Sequence, residues 1–149
     1  MAASTSPING SDYVVEISTD GGSTWTGLAN AQNASLTRGK DVRDVTNKYS
    51  GGYRELGTGG KKSWSMSTDG LVVFSDADSR LTPDDLHGFW EQDALLDFRF
   101  TRHDGNTGDF QYSGKGVISQ FDENGGTEDD QTYSITIEGS GVLTDAALA

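Results

Sequence analysis

Two histidines, His87 and His103, are the only side chains in this 149-residue chain whose ordinary pKa lies near neutrality, and so the only ready candidates for general acid or base work. His87 stands beside Leu86 in a segment with helical spacing and His103 beside Asp104 at a strand end, where surface or packing roles suffice. No Gly-x-Ser-x-Gly elbow and no Gly-x-x-x-x-Gly-Lys-Ser or -Thr loop occurs, so neither an activated serine nor a phosphate cradle is written into the chain. Asp76 with Asp78, Asp104 with Asn106 and Asp109, and the run from Asp122 to Asp130 all offer oxygen ligands for calcium. None has the spaced Asp/Asn-Gly pattern with its distal Glu, and solvated loops account for them. The absence of cysteine excludes disulfides and thiolate metal sites and is compatible with folding in a reducing compartment. No catalytic residue, metal ligand or cofactor is expected.

The aromatic residues suggest binding instead. Trp25, Tyr49, Tyr53 and Trp64 could stack on sugars if exposed on a β-sandwich, which makes a carbohydrate-binding module of a phage or secreted protein the alternative function. Trp64 and Met66, however, alternate with Ser63, Ser65 and Ser67, the pattern of a strand with one core face, so Trp64 belongs inside. Tyr49 and Tyr53 lie in the polar, glycine-rich stretch from Asp44 to Lys62 and suit either a glycan or a neighbouring subunit, since amphipathic aromatics are enriched at interfaces.

Charge narrows the partners. A formal net charge of -12 and a pI near 4.3 argue against a protein that grips nucleic acid, which needs lysine and arginine to neutralise phosphates. No apolar run approaches the roughly 20 residues that cross a bilayer, and residues 1–7 lack a basic start and an apolar centre. Neither membrane insertion nor a cleaved signal peptide is expected.

The elements that must hold these residues are mostly strands. The length suits one domain; 20 glycines and 2 prolines, with a mean hydropathy of -0.56, fit a turn-rich β protein. Residues 1–11 are small and polar and form an N-terminal arm. Tyr13, Val15 and Ile17 alternate as a strand, and Asp20-Gly21-Gly22-Ser23 turns the chain into a hairpin before Trp25. Ala34 and Leu36 continue the alternation. A long loop then occupies 38–62, and loops of that size in compact domains are usually functional or disordered. After Asp69-Gly70, the run Leu71-Val72-Val73-Phe74 is consistent with a buried strand. One flanking helix is predicted over about 82–96, with Thr82 as N-cap, Pro83 at its first position, Asp84 and Asp85 in the first turn, and an inward face of Leu86, Phe89, Trp90 and Ala94. Leu96, Phe98 and Phe100; Phe110 and Tyr112; Val117 to Phe121; and Tyr133, Ile135 and Ile137 supply further strands, leaving a tail over 144–149. The fold class is mainly β: an antiparallel sandwich or barrel with one flanking α-helix in a single domain, 1–149.

The order of these parts resembles a known family. Pro7-Ile8-Asn9-Gly10 before the first strand, Asp44-Val45-Thr46, Ser50-Gly51-Gly52-Tyr53-Arg54-Glu55, Lys62-Ser63-Trp64-Ser65 leading to Asp69-Gly70, and the closing Tyr133 to Gly141 are together similar to the major tail tube proteins of long-tailed bacteriophages and related gene transfer agents. The resemblance runs from about residue 7 to 143. It implies a non-enzymatic virion protein, assembled in the host bacterial cytoplasm, of which six copies form a ring and rings stack into a hollow tail tube. It also implies a tape measure protein inside, tail terminator and distal tail proteins at the ends, and DNA that passes through without specific binding. The long loop is then an inter-subunit element, with Arg43, Asp44, Lys48, Tyr49, Tyr53, Arg54, Glu55, Lys61 and Lys62 as candidate contacts. Where the family often has a proline-containing turn, this chain has Gly57-Thr58-Gly59-Gly60. Part of the acidity is expected to face the lumen and repel phosphates over about 8 Å, a Debye length at physiological salt.

Overall fold

A computed structural model describes residues 5–7, 13–57, 59–75, 80–92, 95–102 and 109–147. Most of the N-terminal arm, Asp76, Asp78, Ala94, His103, Asp104 and Asn106 lie outside these described residues.

Among the described residues, nine strands and one helix follow in the order β1 (Tyr13–Ser18), β2 (Thr26–Gly27), β3 (Ala31–Lys40), β4 (Arg43–Asp44), β5 (Leu56–Gly57), β6 (Lys62–Leu71), α1 (Pro83–Glu91), β7 (Leu96–Arg102), β8 (Phe110–Asn124) and β9 (Thr132–Ala147). Seven strands form one antiparallel sheet in the order β2-β1-β7-β8-β9-β6-β3, while β4 and β5 make a separate two-stranded ribbon. The sheet curls far enough that β1 comes close to β3 and β6 across the core. The expected mainly β, antiparallel class with one helix is therefore the observed one, achieved by a single curled sheet.

The core follows from two-residue alternation. Val15 and Ile17 of β1, Trp64 and Met66 of β6, Phe98 of β7, Ile118 of β8 and Tyr133, Ile135 and Ile137 of β9 point inward and are buried together. Leu86 of α1 is fully buried in the same cluster, with Phe89 packed against it. On the outer face, Glu16 and Arg99 stand directly opposite on β1 and β7; Arg99 Nε donates to Glu16 Oε1 at 3.0 Å, and the guanidinium lies 4.6 Å above the Trp25 ring.

Five details differ from the expectation. The helix ends at Glu91, short of 96, because Gln92 is already extended (φ -73, ψ 141) and Leu96 pairs with Gly116 in the sheet. Trp90 is half exposed beside His87 instead of facing inward. The run Leu71 to Phe74 is not a buried strand: β6 stops at Leu71, opposite the first residue of β9, and Phe74 is exposed, with no strand beside it among the described residues. Phe110–Tyr112 and Val117–Phe121 belong to one strand, whose alternation is interrupted by irregularities at Ser113/Lys115 and Ile118/Gln120. Residues 144–147 are no tail but the end of β9, paired with Phe110 to Ser113.

Tyr133 gives the core a pH limit. Its hydroxyl donates to the Ala29 carbonyl oxygen at 3.0 Å, and burial, reinforced by the negative charge of Asp69, pushes its pKa up to about 12. The raised value means that its stabilising effect is full below pH about 10 and is lost as pH climbs toward 12, by about 1.4 kcal/mol per unit. Denaturant melts at about pH 9 and about pH 11 should show this fall, and Tyr133→Phe should flatten it.

Candidate assembly surface

Lys40 and Lys62 are direct partners at the ends of β3 and β6, so the chain between them leaves the body from one point and returns to it. The Asp41 amide donates to the Lys61 carbonyl oxygen at 2.8 Å and closes the stem. Gly60 is required there, because a Cβ would stand 1.7 Å from the Asp41 oxygen. Beyond the stem, Arg43 pairs with Gly57 and Asp44 with Leu56. The Val45 amide donates to the Glu55 carbonyl oxygen at 3.0 Å, and the Glu55 amide donates to Thr46 Oγ1 at 2.8 Å.

The tip is equally ordered. The Tyr49 amide donates to Asn47 Oδ1 at 2.8 Å, the Asn47 amide to Ser50 Oγ at 3.1 Å, and the Tyr53 amide to the Ser50 carbonyl oxygen at 3.2 Å. Gly51 and Gly52 take φ values of 66 and 86, which favour glycine. The loop expected over 38–62 is thus a finger: Arg38 to Lys40 belong to β3, and residues 41–61 form a small hairpin with its own hydrogen bonds.

None of the described finger residues is buried. Tyr49 is 97% exposed and Tyr53 80%, and Val42, Val45 and Leu56 are also open to solvent. A two-stranded ribbon in water is marginal at best, and exposed apolar surface gathered on a projection is a common feature of interaction sites in general. All nine candidate contacts lie on or at the root of this finger. Arg43 and Asp44 form β4, Lys48 and Tyr49 sit at the tip, Tyr53, Arg54 and Glu55 lead back, and Lys61 and Lys62 close the stem. Arg54 is held 3.9 Å from Asp44, whose carboxyl is kept below its usual range by the Thr46 hydroxyl and backbone amide. Val42, Val45 and Leu56 escaped the sequence reading; their signal was an apolar residue at intervals in an otherwise polar loop.

At the finger's root lies an open groove of about 740 Å³ whose lining includes Arg38, Lys40, Lys62, Trp64, Tyr112 and Asp145. It exists because β9 pairs with β6 only from Thr132 to Glu138, after which the two strands part. Trp64 fills the apex of the split, its Nε1 donating to the Gly141 carbonyl oxygen at 3.2 Å. From Ser140 to Ala147 the β6 side of β9 has no strand beside it among the described residues, and β3 is an outermost strand of the sheet. Such edges are templates for pairing with another chain.

Trp64 is too buried to stack on a sugar, and Trp25 is covered by Arg99. His87 is exposed and paired with Glu91 at 3.1 Å, and Asp109 is held by Arg102 at 2.7 Å. Among the described residues no three acidic or histidine side chains converge as a metal site.

Comparison with known proteins settles the family, since residues 7–145 match the phage tail tube proteins. The chain belongs to the phage tail tube protein family. No curated protein sequence matches it. Its fold is similar to a solved tail of an empty gene transfer agent particle with C6 symmetry, with a TM-score of 0.78 and 24% identity over 95% of this chain and 100% of that one. It is likewise similar to a chain of the native gene transfer agent virion, with a TM-score of 0.76 and 23% identity over 95% and 100% of the two chains. The SPP1 tail tube gives a TM-score of 0.73 at 18% identity, over 95% of this chain and 80% of that one. The role of a tail tube family member is structural, which fits a surface rich in edges and projections.

Proposed function

We propose that six copies of this chain close into a ring, that rings stack into a hollow tube through which DNA travels, and that residues 41–61 of each copy reach an adjacent copy. The carrying observation is the hydrogen-bonded finger that holds Tyr49, Tyr53, Val42, Val45 and Leu56 in solvent with nothing among the described residues to cover them. The C6 symmetry of the similar gene transfer agent tail supports the ring size. The free edges of β3 and of the end of β9 are what lateral closure can pair, since a head-to-tail contact closes when its rotation permits. The chain performs no catalysis in this role and works within the virion tail after assembly in the host cytoplasm. A tape measure protein inside the tube and terminator and distal tail proteins at its ends are its further partners.

The tyrosines give a direct test. Replacing Tyr49→Ser and Tyr53→Ser together should leave the melting temperature within about 2 °C, because both are exposed and surface changes are worth about 0.5 kcal/mol or less. The concentration needed for assembly, read by light scattering, should rise at least about tenfold, as expected for aromatic anchors of an interface. Unchanged assembly would remove the finger from the interface.

A further inference from the structure

Charge is segregated along this chain. Seven of the eleven lysines and arginines, but only three of the 23 acidic residues, fall between Arg38 and Lys62, so that stretch carries +4 and the remainder -16. The fold turns this into two ends. At one end of β6, Lys62 faces Lys40 beneath the finger; at the other, Leu71 faces Thr132 at the base of the β8–β9 turn. At about 3.4 Å per residue these ends are roughly 30 Å apart. The far end gathers Asp69 and Asp122, which flank Ser134 on neighbouring strands, with Glu123 and the exposed Glu128, Asp129 and Asp130 in the turn. Lys115 is the last basic residue of the sequence.

A separation of roughly 30 Å is several Debye lengths at physiological salt, so the two ends of one copy do not neutralise each other. Two fingers brought together would repel, as would two turns. A symmetric face-to-face contact is therefore disfavoured at either end. Finger to turn is attractive, and being heterologous it leaves an open end of each kind and can repeat without limit.

Building on the self-assembly reading above, we propose that the basic finger and its groove in one copy dock on the acidic β8–β9 turn of a copy in the next ring. The stack then grows head to tail with one polarity, by charge complementarity as well as by burial of the tyrosines.

The test uses two variants of the full chain and their mixture. One carries Lys40→Glu, Lys48→Glu, Lys61→Glu and Lys62→Glu; the other carries Glu123→Lys, Glu128→Lys, Asp129→Lys and Asp130→Lys. All eight positions are exposed, so both should melt cooperatively. Neither alone should form rods at about ten times the wild-type threshold concentration, whereas an equal mixture should form them, because each reversed end then meets a complementary one. The wild-type threshold should also rise roughly tenfold between about 0.05 and about 0.5 M NaCl. Rods from either variant alone at the wild-type threshold would overturn the pairing of the two ends while leaving self-assembly standing. So would a mixture that stays silent, or a wild-type threshold indifferent to salt. Wild-type protein that never forms rods would instead overturn the self-assembly reading beneath it.

Discussion

Replacing residues 41–61 with Asn-Gly is expected to give a chain that folds and melts cooperatively yet forms no rods at any accessible concentration. The geometry permits this because Lys40 and Lys62 are direct partners, and two residues of this type close an antiparallel pair in the tightest common hairpin. No buried residue is lost with the finger among the described residues, and the backbone hydrogen bonds of Asp41, Val45, Ser50 and Tyr53 run within it and its stem. Stability should change by less than about 1 kcal/mol, as expected for an exposed excision that also shortens the connection. Assembly, by contrast, should lose the tyrosines, the exposed valines and most of the basic end together. Size-exclusion chromatography with melting curves separates the two effects. Rods from the shortened chain would show that another surface joins the copies.

The second large effect is on folding. Gly139 lies directly beneath the Trp64 ring, and a Cβ there would stand 2.1 Å from Trp64 Cε2; at Gly114 it would stand 2.5 Å from Trp64 Cζ2. These glycines form the bed on which the indole lies where β6 and β9 part. Gly139→Ala should therefore force the ring out of its rotamer and break its hydrogen bond to Gly141, at a cost of about 3 kcal/mol. The melting temperature should fall by roughly 10 °C. Trp64→Ala should cost about 3–5 kcal/mol by leaving a cavity. In the double variant the cost should fall well short of the sum, because the alanine at 139 no longer meets a ring. Full additivity would mean that the two residues act separately.

How much of this was legible beforehand depended on whether a pattern was local. The alternation of Trp64 and Met66 with serines placed β6 and its buried face, and the Asp20 to Ser23 turn placed the first hairpin, because strand period and turn chemistry are properties of consecutive residues. The start of the helix was equally readable: the Thr82 amide donates to Asp85 Oδ2 at 3.1 Å, with Pro83 at the first position. Its end was not, because whether the chain after Glu91 stays helical depends on the strands waiting for Leu96. The same reason hid the continuity of β8, whose irregular pairing breaks the alternation, and the exposure of Phe74, which follows from a partner strand running out. The finger was visible as a polar excursion, though the expected 38–62 took in the end of β3 and the start of β6, and its internal pairing of Arg43 with Gly57 joins residues fourteen apart through a polar stretch that carries no periodicity. The glycine bed under Trp64 was invisible for a similar reason, since nothing in the sequence tells which glycines a distant indole will cover.

Self-association through this surface is the central property of the chain's proposed role. The most direct measurement is negative-stain electron microscopy of the purified full-length chain at rising concentration. Hollow rods of constant width, showing sixfold symmetry in end-on views and disappearing when residues 41–61 are replaced, are the expected result. A chain that stays monomeric at every concentration, or forms only irregular aggregates, would contradict it.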